Sequence, residues 1–75
     1  MSNLISESTA RQIIDLLLRQ SGESQDLAAH LYTKTSGEEF RECGPLIAAV
    51  LYALNEEGLK PLFKLYPHLK PDRFL

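Results

Sequence analysis

From Cys43 to Asn55 the chain runs for 13 consecutive positions without a charged side chain. No other feature limits the fold as strongly. Thirteen residues fall short of the ~20 that a membrane-crossing helix needs. As a helix they would be apolar on nearly every side, with Leu46, Ile47, Val50, Leu51 and Leu54 set among alanines. Such a helix ordinarily lies at the centre of a domain, touched by several others. In a 75-residue chain that is 44% apolar and 24% charged, the rest would have to be arranged around it. A domain this size buries only about 60% of the surface its unfolded chain exposes. With one cysteine it has no internal disulfide to compensate. The lone thiol fits a reducing, cytoplasmic setting, and Met1 to Glu7 lacks the basic-then-apolar pattern of a signal peptide.

The flanking segments read as short helices punctuated by glycine and proline. Ser6 or Ser8 can cap a first helix in which Ala10, Ile13, Ile14, Leu17 and Leu18 follow the spacing of one buried stripe. Ser21-Gly22-Glu23-Ser24 is expected to end it, with Gly22 as a left-handed cap. A second helix, capped by Ser24, would turn Leu27, Leu31, Ala28 and Ala29 inward and end near Lys34. Ser36 stands three residues before Glu39, the spacing of a capping box, so a short helical turn is expected over residues 38–42. Gly44-Pro45 is expected to break the chain again, and Pro45 suits the first turn of the apolar helix. Gly58 would end that helix, and Pro61 would open a last one of about six residues, with Leu62, Leu65 and Tyr66 inward and Lys60 and Lys64 outward. The expectation is an all-α single domain, residues 1–75. It would be a compact bundle of four to five short helices around a central apolar helix near residues 45–57. Residues 1–6 and 67–75 would be loose or docking termini.

No set of residues carries recognisable chemistry. Cys43 and His30 could pair as nucleophile and base, yet no third group and no glycine-rich oxyanion loop accompanies them. Cys43 fits a small packed hydrophobe, and His30, one position from the Leu27/Leu31 stripe, fits the edge of the core. Glu38, Glu39 and Glu42 share a helical spacing but do not supply the six to eight oxygen ligands of a calcium loop. The sequence therefore reads as non-enzymatic, with no metal and no cofactor.

Charge is unevenly distributed. Residues 1–58 carry a net −5 and residues 59–75 a net +3. Complementary potentials of this kind orient one protein on another. Lys60, Lys64, Lys70 and Arg73 form the candidate basic contact patch, and Glu38, Glu39 and Glu42 the candidate acidic one. Four basic residues beside an acidic body argue against nucleic acid, because phosphate would be repelled.

Two resemblances bear on the reading. Leu27-Ala28-Ala29-His30-Leu31, the apolar run of residues 46–54 with Glu56-Glu57-Gly58, and Leu62-Phe63-Lys64-Leu65 before Pro67 together resemble the helical effector-associated and death-like adaptor domains. That resemblance implies recruitment through homotypic contacts between oppositely charged faces. The helix order from Ile13 to Leu18, Ser24 to Leu31 and Leu51 to Leu59 is also similar to winged-helix regulators. This second resemblance implies DNA binding and wing strands over residues 60–66 and 72–75. Residues 46–54, where a recognition helix would fall, offer almost no polar side chains to a major groove.

The expected partner is thus another protein or a second copy of the chain, with no membrane and no small-molecule substrate. A third expectation is a hydrophobic homodimer that completes an undersized core through Leu16, Tyr52, Phe63 and Phe74.

Overall fold

The structure, a computed structural model, describes residues 5–71. These residues are almost wholly helical and contain no strand. Helix α1 spans Glu7–Lys34 and α2 spans Gly37–Ala53. A π-helical turn, Leu54–Leu59, carries α2 into the short helix α3, Lys60–Leu65, and a 3-10 turn, Pro67–Leu69, follows. The chain is therefore a hairpin of two long helical arms, not a bundle of four to five short helices.

Both arms start where the sequence says they should. The Ser6 Oγ accepts from the Thr9 N–H at 3.2 Å, and the Ser36 Oγ accepts from the Glu39 N–H at 3.0 Å. Each hydroxyl satisfies one of the orphan donors of a helix N-terminus. Thr35 and Ser36 alone make the connection between the arms. The Thr35 hydroxyl donates to the Leu31 carbonyl at 2.7 Å, which closes the end of α1.

The expected breaks fail for identifiable reasons. Ser21 to Ser24 lies in the middle of α1, and Gly22 has no positive φ. Ala10, Ile14, Leu17, Ser21, Ser24, Ala28, Leu31 and Thr35 alternate steps of four and three without a slip, and all are buried or half-buried. The two segments expected as separate helices thus share one inner stripe, and one straight helix covers it. Glycine permits a left-handed cap but does not compel one. Leu27 and Ala29, expected inward, are exposed.

Pro45 sits inside α2 instead of opening a helix. A residue before proline is pushed out of helical geometry partly by its own Cβ, and Gly44 has none. A Cβ there would also stand 3.1 Å from the Phe40 ring. Farther on, Gly58 does not cap α2 but lies in the π turn, where a Cβ would come within 2.7 Å of Leu17 Cδ1. The glycine serves a close approach between the arms. The Lys60 N–H bonds the Asn55 carbonyl, an i−5 reach, and Pro61 next to it has no N–H to give. The widened turn inserts one extra residue and brings Leu59, Leu62 and Phe63 around to face α1.

The core lies at this end of the hairpin. Ala10, Ile14, Leu59, Leu62 and Phe63 are buried, with Ile13, Leu17, Leu18, Tyr66 and Leu69 packed at their margin. Phe63 takes the inward place expected of Leu65, which is 43% exposed. The Tyr66 hydroxyl donates to the Ile5 carbonyl, and His68 Nε2 lies 2.9 Å from Glu7 Oε2, so the end of the second arm rests on the start of the first.

The largest correction concerns the apolar run. No residue of α2 is buried. Leu46 is 69% exposed, Tyr52 66% and Val50 50%, so the run 46–54 keeps only Ile47, Leu51 and Leu54 half-buried and does not lie at the centre. A two-helix hairpin covers one stripe of each arm and no more. Residues 60–65 are helical where wing strands were expected, and residues 72–75 fall outside the described part.

Candidate interaction surface

Each arm carries two stripes, and only one of them is used within the chain. On α2 the inner stripe is Phe40, Cys43, Gly44, Ile47, Leu51 and Leu54, all half-buried. Beside it run Leu46, Ala49, Val50 and Ala53, at i, i+3, i+4 and i+7, all exposed. On α1 the corresponding outer stripe holds Leu16, Gln20, Glu23, Leu27 and Lys34, also exposed. Leu65 of α3, on the second arm, is exposed as well.

Two observations fix which way these stripes point. Gly58 approaches Leu17 on one side of the hairpin seam. Ser21, Gln25, Asn55 and Phe63 line a groove on the other side. With 100° per residue, both outer stripes then fall on the Gly58 side. They share one face, turned away from the groove, where Leu46, Ala49, Val50 and Ala53 of α2 lie beside Leu16 and Leu27 of α1, with Gln20 and Glu23 between those two leucines. This face is the apolar strip. Tyr52 belongs to the opposite side, and so does Tyr32, whose ring meets Phe40 edge-on at 5.3 Å.

The charged candidates occupy the two ends of the rod. Lys60, Lys64 and Lys70 line the groove beside Asn55, and Lys60 Nζ bonds Glu56 Oε1 at 3.0 Å. Glu38, Glu39 and Glu42 cluster with Ser36 and Arg41 at the hairpin connection. At 1.5 Å per residue the two sets stand roughly 30 Å apart, several Debye lengths, so within one chain they do not meet. Arg73 and Phe74 lie outside the described residues. Phe63, expected at a dimer contact, is 7% exposed and belongs to the core.

Inside the groove the Asn55 Nδ2 donates to the Leu51 carbonyl at 3.0 Å, which serves an acceptor next to the π turn. Its Oδ1 is buried without a hydrogen-bond partner among the described residues. The Glu7 carboxyl is held below its ordinary range, first by its hydrogen bond with His68, then by the nearby charges of His68 and Arg11 and by the Arg11 hydrogen bond. The His68 contact ties the start of α1 to the 3-10 turn. His30 is exposed on α1 and Cys43 is half-buried on the inner side of α2. Among the described residues no three His, Cys, Asp or Glu side chains are grouped to hold a metal. No helix there is long and apolar enough to cross a membrane.

The sequence pattern pointed to the charged ends and, on the strip, to Leu16 alone, because Leu27, Leu46 and Val50 read as core. The signal that would have exposed it is the outer spacing of residues 46, 49, 50 and 53 beside the inner 43, 47, 51 and 54. No family model, curated protein or solved structure matches the chain.

Proposed function

We propose that this chain is a small, non-enzymatic helical module that binds protein, an adaptor or regulatory piece working in the cytoplasm. One observation carries the reading: Leu16, Leu27, Leu46, Val50 and Leu65 stand exposed, and helical spacing sets those of the two long arms on one side of the hairpin. Several large apolar side chains exposed on one face mark an interaction surface. The partner it suits is another helical protein surface, since leucine and valine at helical spacing interlock with the same pattern. The charged ends set orientation, through Lys60, Lys64 and Lys70 at one extremity and Glu38, Glu39 and Glu42 at the other, with Arg73 the further basic residue proposed for the same contact.

A photo-reactive residue in place of Leu46, in the chain expressed in cells, tests this. It is expected to give a discrete protein adduct, while the same probe at Asp26 gives none. No adduct from position 46 would overturn the reading.

A further inference from the structure

We infer that the apolar strip is covered by a second copy of this chain, two hairpins stacking face to face into a four-helix bundle. The inference rests on the interaction-module reading and names its partner.

The area argument comes first. A folded monomer of 8.5 kDa should expose about 4,700 Å², and this chain exposes 5719 Å². The surplus, roughly 1,000 Å², matches what one partner contributes to a stable dimer, ~800 Å² or more. The shape agrees. The radius of gyration is 15.0 Å and the extents are 48 × 21 × 18 Å, whereas a globular chain of this length has a radius near 11 Å. The rod is one layer of two helices, and a second layer gives the bundle its missing thickness.

Self-complementarity is the second argument. Identical patches pair through a two-fold axis. When that axis runs along the rod, α1 of one copy lies over α2 of the other, antiparallel. Near the hairpin connection the strip ends in Lys34 on α1 and in Glu39 and Glu42 on α2. None of the three has an ion pair among the described residues. In this arrangement Lys34 faces the acidic pair of the other copy, and Leu27 of one copy faces the level of Leu46 of the other. A different protein would need to supply the same charges independently.

Sedimentation equilibrium of the full chain tests the inference. The expected mass is twice that of the chain. Leu46→Glu and Val50→Glu each weaken the dimer about tenfold or more, while Tyr52→Glu on the opposite side leaves it unchanged. Because a face variant could lose its fold together with its partner, a second measurement uses milder changes. Chains carrying Leu27→Cys and chains carrying Leu46→Cys, both with Cys43→Ser, are mixed under oxidation. The 27–46 disulfide between chains is expected to exceed either homodimeric one. A helical chain that sediments at its single mass at every concentration would overturn the inference. So would a dimer broken by Tyr52→Glu but not by Leu46→Glu, or a preference for 46–46 disulfides. If the chain is monomeric, the Leu46 photo-adduct separates the two claims. An adduct with a different protein leaves the module reading standing, and no adduct removes both.

Discussion

The Tyr66 hydroxyl donates to the Ile5 carbonyl at 2.9 Å, a bond that joins positions 61 residues apart. It closes the open end of the hairpin, beside the buried Leu62 and Phe63 of the short α3. Tyr66→Phe keeps the ring and leaves the carbonyl without this donor. The expected loss is about 1 kcal/mol, read by chemical denaturation. Amide exchange should accelerate over residues 60–65 more than over residues 40–50.

Gly22 decides whether α1 is continuous. In the structure it has no positive φ, and a Cβ there would meet nothing within 4 Å. Gly22→Ala should therefore stabilise the fold by roughly 0.5–1 kcal/mol, through helix propensity and a less free unfolded chain. A left-handed cap at this site would give the opposite sign, so a thermal melt distinguishes one long helix from two short ones.

Gly58 answers to a different constraint. A Cβ there would stand 2.7 Å from Leu17 Cδ1, and the leucine tip must move aside. Gly58→Val should cost about 1–3 kcal/mol by overpacking the seam. Combining it with Leu17→Ala, which removes the opposing atoms, should recover part of that loss. A double mutant whose effects simply add would contradict the close approach, since residues in contact couple.

Glu7 supplies a pH dependence with a definite sign. Its carboxyl is held below the ordinary value of 4.5, chiefly by the hydrogen bond with His68. The folded chain therefore holds fewer protons than the unfolded one just below that pH. The contribution is present above the ordinary carboxylate range and is lost as pH falls through the depressed value. Melting temperatures measured between pH 6 and roughly pH 3 should drop less steeply for Glu7→Gln than for the native chain. Parallel curves would contradict the Glu7–His68 contact.

Local chemistry was legible in the sequence where a single residue decides the outcome. Ser6 and Ser36 cap the arms because a hydroxyl at that position accepts from an N–H that has no partner within the helix. Lys60 and Lys64 stay outside because their ammonium groups must. What could not be read locally was continuity. Gly22 and Gly44-Pro45 have the composition of breaks, and the helices pass through because the inner stripe keeps its phase and Gly44 lacks the Cβ that proline would reject. The exposure of Leu46 and Val50 was hidden for a related reason. An apolar stripe reads the same whether its own chain or another covers it, and only the count of arms shows that one stripe is left over.

Dependence of the melting temperature on protein concentration tests most directly whether that leftover stripe is a shared core. Association makes unfolding subject to mass action. Over a hundredfold dilution the transition is expected to fall by on the order of 5–10 °C, with Leu46→Glu abolishing the dependence. A transition that stays at one temperature across the whole range would show that the hairpin stands alone, and would contradict the account.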